Sequence, residues 1–147
     1  MKSLFSFLWE VTKITVIALA IILPIRYFLV QPFFVKGASM EPNFSDKNYL
    51  LIDEITYRLR EPERGEVVVF RYPLDRSLFF IKRIIGMPGE EVSYDRGNIK
   101  ITGPDGALVL DEAYLSENGR ATDFFSPVKI GDGQYFVLGD NRSKSFD

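Results

Sequence analysis

Hydrophobic residues are concentrated in an almost unbroken run near the N-terminus. Residues 14–30 read ITVIALAIILPIRYFLV and are apolar apart from single Thr, Pro, Arg and Tyr residues. At about 1.5 Å per residue, a helix over this run just reaches across a hydrocarbon core of ~30 Å. The pattern therefore predicts a transmembrane anchor at 14–30, preceded by a short cytoplasmic tail at 1–13.

Polar residues at both ends of this run support the anchor. Lys2 and Lys13 flank one end, while Arg26 and Tyr27 lie near the other, where a long cation and an amphipathic ring can reach the headgroups. We expect the residues after the run to lie outside the cytoplasm. A cleavable signal peptide is the alternative, but VKGAS is a poor cleavage site because it contains Lys36.

Beyond the run, the pattern changes to short β-type segments separated by turn residues. The predicted strands lie in NYLLIDEI, EVVVFRY, LFFIKRIIG, NIKIT, ALVL and QYFVLG. Pro, Gly, Asn and Asp dominate the pieces between them, and no long helical period intervenes. Residues 31–147 are therefore predicted to form a mainly β domain of antiparallel sheets or a partly open β-barrel.

The segment LFFIKRIIG places two cations among apolar neighbours. Alternation puts Lys82 on one face, beside Phe80 and Ile84, and Arg83 on the other. A lysine amine that is removed from water loses its proton readily, whereas a guanidinium keeps its proton. Of the two, only Lys82 is a candidate neutral base.

Composition narrows the possible chemistry. The chain contains no Cys and no His, which excludes disulfides, thiolate nucleophiles and Ser-His pairs and disfavours a zinc site. The formal net charge is −2, and the charged residues are interspersed, so nothing indicates nucleic-acid binding. The neighbouring acids Glu90 with Glu91, and Asp111 with Glu112, are interpreted as solvated surface rather than metal ligands.

A serine in GASMEP is the candidate nucleophile. Ser39 needs a group that accepts its proton, and without His the remaining bases are a desolvated Lys or a carboxylate with a raised pKa. Lys82 is the best-placed candidate. By pattern alone, however, a serine before Met-Glu-Pro is ordinarily a loop residue, and a strand lysine is usually at the surface.

Four motifs in order resemble those of the bacterial type I signal peptidases, which are membrane-anchored Ser-Lys endopeptidases. The matching stretches are GASMEP, RGEVVVFRYP, FIKRIIGMPGE and YFVLGDNRSKSFD. The resemblance implies that Ser39 attacks the scissile carbonyl and that Lys82 is the general base. It further implies an acyl-enzyme intermediate, with Ser145 orienting the lysine. Other residues implied to bind substrate or shape the site are Met40, Pro42, Arg83, Gly139, Asp140, Asn141, Arg142 and Asp147.

The resemblance also implies how the oxyanion is held. The backbone N–H of Ser39 would be one donor, and some members supply a second from a serine hydroxyl two residues earlier. Gly37 occupies that position here, so a backbone group or water would have to serve.

The implied function is removal of signal peptides from exported preproteins after a small residue, without a metal or other cofactor. The expected partners are signal peptides, the phospholipid membrane and the export machinery. The resemblance places the protein in the bacterial cytoplasmic membrane, as a single-pass protein with an extracytoplasmic catalytic domain. Phe33, Phe34, Phe79 and Phe80 are predicted to rest on the outer leaflet.

Two departures from the family pattern keep an alternative open. Ser143 stands where relatives usually carry an acid, and the chain ends at Asp147, before the arginine that would pair with it. The expectation is a C-terminally truncated chain. The alternative function is a catalytically inactive, membrane-tethered peptide-binding module. A self-cleaving repressor-type protease shares the Ser-Lys pair, but the predicted membrane span and the lack of a DNA-binding module disfavour it.

Overall fold

The protein is described from a computed structural model that covers residues 2–28, 30–53, 55–95, 97–115 and 126–145. The chain forms two compact units, one of residues 1–33 and 50–61, and one of residues 34–49 and 62–147. Among the described residues, the elements are α1 (Lys2–Phe28), β1 (Val30–Phe34), β2 (Tyr49–Asp53), α2 (Thr56–Leu59), β3 (Val67–Arg71), β4 (Phe79–Gly86), β5 (Glu91–Asp95), β6 (Asn98–Gly103), β7 (Gly106–Val109), β8 (Val128–Lys129) and β9 (Phe136–Leu138).

The first unit is dominated by the long apolar helix α1. Its stretch Ser3–Pro24 is long and apolar enough to cross a membrane, and its large side chains, including Trp9, are exposed. Two hydroxyls within it are satisfied locally, since Thr12 Oγ1 donates to the Leu8 carbonyl at 2.8 Å and Thr15 Oγ1 to the Val11 carbonyl at 2.9 Å. Helix α1 therefore presents no unpaired hydroxyl at these two positions.

Helix α1 begins earlier than the predicted span. Residues 2–13, which the sequence suggests as a tail, belong to the same helix. A single apolar N-terminal helix is confirmed, while the part of it that lies in a bilayer stays a prediction. Strands β1 and β2 pair with each other in a two-stranded sheet.

The second unit contains two antiparallel sheets. The first has the order β3-β4-β9, and the second has the order β7-β6-β5-β8. Strand β4 is the central strand of the first sheet, with Lys82 opposite Val68 of β3 and Arg83 opposite Leu138 of β9. The predicted mainly β, antiparallel fold class is confirmed.

A single apolar cluster joins the two sheets. Its buried members are Ile85, Val92, Ile99, Ile101, Ile130 and Leu138. Gly86 ends β4 against this cluster, where a Cβ atom would overlap the side chains of Ile130 and Val92. The close approach that Gly86 permits holds β4 firmly against the second sheet, so that Lys82 projects from a well-supported strand.

Candidate active site

Ser39 lies in a turn anchored by its buried neighbour. Met40 is 1% exposed, and its carbonyl accepts a hydrogen bond from the Phe44 N–H at 2.9 Å. The N–H of Glu41 donates to the Ala38 carbonyl at 3.2 Å, which closes the first part of the turn. Pro42 is exposed and follows a cis peptide bond. The buried Met40 side chain therefore fixes the turn while Ser39 stays half-buried.

Gly37 adopts a backbone conformation that disfavours a side chain. Its φ is +96°, in the region that favours glycine, and its N–H donates to Asp46 Oδ1 at 2.9 Å. The serine that some relatives carry here would be strained in this conformation. Because the Gly37 N–H already has a protein acceptor, it is a poor candidate for the second oxyanion donor.

Lys82 is buried in the central strand. Its exposure is 3%, and Nζ donates a hydrogen bond to Ser145 Oγ. The amine also lies 5.8 Å from the ring centroid of Phe80, which stacks on Tyr72 at 4.5 Å. The alternation in β4 thus places the amine away from bulk water beside a hydroxyl and an aromatic ring.

The loop after β9 connects the serine and lysine segments. A Cβ at Gly139 would overlap Ser145 Oγ and lie 2.5 Å from the Ser39 carbonyl oxygen. The Asn141 N–H donates to that same carbonyl at 2.9 Å. The Ser39 carbonyl and the Ser145 hydroxyl therefore both lie close to Gly139, and Ser145 in turn contacts Lys82.

Arg83 of β4 and Asp140 of the loop after β9 form a buried ion pair. Arg83 Nε donates to Asp140 Oδ1 at 2.8 Å and Nη2 to Oδ2 at 2.6 Å, while Nη1 donates to the Gly65 carbonyl at 2.8 Å. Asp140 is fully buried and also accepts from Asn43 Nδ2 at 2.8 Å. The hydrogen bonds to Asp140 raise the pKa of Arg83, so its guanidinium stays charged. This pair ties β4, the serine turn and the last loop together.

A second ion pair joins the predicted Arg142 to Glu112, and neither Glu112 nor its neighbour Tyr114 was predicted to belong to the site. Arg142 Nη2 donates to Glu112 Oε1, and its Nε donates to the Gly139 carbonyl at 2.8 Å. The side chain of Glu112 is only 11% exposed, so its interpretation as solvated surface is wrong. Tyr114 donates its hydroxyl to Glu112 at 2.7 Å. Burial, followed by the hydrogen bond to Glu112, raises the pKa of the Tyr114 phenol.

Most predicted site residues meet in the second unit. The structure brings together Ser39, Met40, Lys82, Arg83, Gly139, Asp140, Asn141, Arg142 and Ser145. Asp147 lies outside the described residues. Within the described ranges, no group of three or more acidic side chains could hold a metal ion.

Comparison with known proteins gives the family. A family model described as "Signal peptidase, peptidase S26" matches residues 8–147. The chain belongs to the signal peptidase family. A Synechocystis sp. protein named probable signal peptidase I-2 is 42% identical over 94% of this chain and 63% of that protein. A Bacillus amyloliquefaciens signal peptidase I is 37% identical over 95% of this chain and 74% of that protein.

The chain thus spans about two thirds of the length of the first of these signal peptidases. A crystal structure of a signal peptidase I from Enterococcus faecalis matches with a TM-score of 0.49 at 32% identity, covering 60% of this chain and 84% of that one. The predicted resemblance to the signal peptidases, a family of hydrolases, is confirmed by the family model and the relatives. The roles of individual residues stay predictions.

Proposed function

We propose that the protein is a membrane-bound serine endopeptidase that removes signal peptides from exported preproteins. The observation that supports this proposal best is the buried amine of Lys82, hydrogen-bonded to a serine that packs beside the Ser39 turn. In a chain without histidine, a lysine amine is a candidate general base for a serine nucleophile. Because the chain belongs to the signal peptidase family, the proposed substrates are signal peptides of preproteins.

In the proposed mechanism, Lys82 accepts the proton of Ser39 Oγ as that oxygen attacks the scissile carbonyl. The C–N bond then breaks, the leaving amine takes the proton from Lys82, and an acyl ester on Ser39 remains. Lys82 next deprotonates a water that attacks the ester, and Ser39 Oγ regains its proton. Ser145 keeps the amine in position through its hydrogen bond. The Ser39 N–H supplies one oxyanion donor.

The proposed substrate is an extended peptide with small residues near the cut. It would lie along the site as an added strand, with shallow pockets for Ala at the first and third positions before the scissile bond. Met40 and Pro42 follow Ser39 in its turn, where the buried Met40 would support the site from below and the exposed Pro42 would help to shape the adjoining surface. We expect a small-residue requirement because the resemblance to the signal peptidases implies it.

A peptide assay tests the proposal. We expect the detergent-solubilised protein to cut a signal-peptide substrate after Ala, and replacement of that Ala by Leu to lower kcat/KM by about 10- to 100-fold. Mass spectrometry of the two products identifies the cut. A matched peptide with Leu at the second position before the cut serves as the control. Tight binding of both peptides without turnover would favour the peptide-binding alternative instead.

Helix α1 is proposed to anchor the protein in the bacterial cytoplasmic membrane, with residues 31–147 on the extracytoplasmic side. Its apolar length supports the anchor, and the exposed rings of Phe34 and Phe79 support contact with lipid. The phospholipid membrane is then a partner, and the export machinery is a further proposed partner.

Vesicles of defined orientation test this arrangement. Protease added to right-side-out vesicles is expected to degrade the second unit, whereas inside-out vesicles should protect it. Immunoblotting of a C-terminal epitope measures the difference, and detergent lysis of the protected sample provides the control. Protection in right-side-out vesicles would reverse the proposed orientation.

A further inference from the structure

Glu112 and Tyr114 lie outside all four family motifs but contact three segments of the site. The Tyr114 hydroxyl and Arg142 Nη2 both donate to the Glu112 carboxylate, and Arg142 also binds the Gly139 carbonyl. These contacts connect Glu112 and Tyr114 to the loop that carries Ser145. They are enclosed, since the side chains of Arg142 and Glu112 are 4% and 11% exposed.

The main chain of Tyr114 connects to the serine turn. Its carbonyl accepts a hydrogen bond from Asn43 Nδ2 at 2.9 Å, and the same amide nitrogen donates to Asp140 at 2.8 Å. Asn43 lies in the turn that holds Ser39. The position of this turn therefore depends on where the Tyr114 peptide group lies.

The ring of Tyr114 connects to the base strand. The Arg83 guanidinium carbon lies 4.2 Å from the ring centroid, while Arg83 also holds Asp140. Arg83 directly follows Lys82 in β4. A guanidinium against an aromatic face in a half-buried place is attractive and directional, so the ring restrains the Arg83 side chain.

We propose that Glu112 and Tyr114 are positioning residues that hold the Ser39 turn and the Ser145 loop in register with Lys82. Two cations, Arg83 and Arg142, face two carboxylates, Asp140 and Glu112. The Tyr114 hydroxyl donates to Glu112, and the Tyr114 ring lies against Arg83. The raised pKa of Tyr114 keeps its hydroxyl a donor. The proposal rests on the proposed peptidase activity, because the geometry it protects is that of the Ser-Lys pair.

Two substitutions at Tyr114 separate the ring from its hydroxyl. Tyr114→Leu removes the face against Arg83, and we expect kcat to fall by about 10- to 100-fold, since small misplacements of reacting groups are that costly. KM should stay within about threefold of the wild-type value, because neither Glu112 nor Tyr114 is proposed to contact the peptide. Tyr114→Phe retains the ring and is expected to recover most of the lost kcat.

Matched control variants carry the same type of substitution at positions outside this contact network. Tyr94 is also a partly buried tyrosine packed on the apolar cluster, so Tyr94→Leu should lower the unfolding midpoint comparably yet leave kcat within about twofold. Glu112→Gln should lower kcat, whereas Asp111→Asn, the same charge change at the exposed neighbour, should not. If Tyr94→Leu and Tyr114→Leu lose kcat equally, Tyr114 has only a structural role and the proposal is overturned.

Hydrogen exchange gives a readout that does not depend on peptide cleavage. Tyr114→Leu is expected to accelerate amide exchange in residues 39–44 and 139–145 relative to the wild-type chain, while Tyr94→Leu should not. Unchanged exchange in both segments would refute the positioning role even in a protein that cuts no peptide. Faster exchange together with an inactive wild-type chain would retain the positioning role and refute the proposed function.

Discussion

Lys82→Met is expected to reduce peptide cleavage at least about 1,000-fold while the chain remains folded. Methionine matches the length of most of the lysine side chain and suits the buried position beside Phe80, but it cannot accept a proton. Ser39→Ala should cause a loss of the same size, because serine and base act as one unit. Single-turnover cleavage of a labelled peptide measures both losses.

Three comparisons make this result specific. Lys100→Met removes a half-buried lysine from β6 and should leave cleavage unchanged. Lys82→Arg keeps a cation but cannot act as a neutral base, so it should be as inactive as Lys82→Met. The double variant of Ser39 and Lys82 should be no worse than either single variant. Substantial activity in Lys82→Arg would eliminate the general-base role.

Asp140→Asn is expected to destabilise the second unit by about 3 kcal/mol. The substitution conserves volume but leaves Arg83 without its counter-charge, and an amide nitrogen then faces the donors of Arg83 and Asn43. We place the effect at the lower end of the range for broken buried pairs because the Arg83 side chain retains 14% exposure. Urea unfolding followed by circular dichroism in mild detergent measures the loss.

A double variant tests whether charge is the cause. Arg83→Met combined with Asp140→Leu removes both charges and should be more stable than Asp140→Asn, since a buried pair can be exchanged for apolar packing at little cost. Asp75→Asn alters a carboxylate in an exposed turn and should leave the unfolding midpoint nearly unchanged. A double variant less stable than Asp140→Asn would show that the loss arises from shape rather than charge.

Local pattern was sufficient for much of the fold and for the apolar neighbours of Lys82, but not for how deeply its amine is buried. The alternation in LFFIKRIIG predicted β4 and put Lys82 between apolar neighbours, and the structure has both. Alternation along the sequence predicts this strand because successive side chains of a strand point to opposite faces of the sheet. Strand β5 was not predicted, because Val92 and Tyr94 alternate with polar residues over too short a run.

Long-range pairing could not be predicted from pattern. Nothing near Glu112 in the sequence indicates that its partner is Arg142, thirty residues later, so two adjacent acids read as solvated surface. Asp111 is in fact exposed while Glu112 is enclosed, and only the tertiary fold distinguishes them. An expectation for Glu112 would have required knowing that the loop after β9 brings Arg142 against it.

Helix α1 carries the only tryptophan of the chain, Trp9, on its exposed surface. Light at the red edge of indole absorption therefore excites Trp9 in this helix but not the tyrosines and phenylalanines of either unit. The wavelength of the Trp9 emission maximum reports the polarity of the surroundings of this helix, and no added label is needed. Trp9 fluorescence of the wild-type chain can therefore be used to follow insertion of helix α1 into a membrane, independently of any change around Ser39.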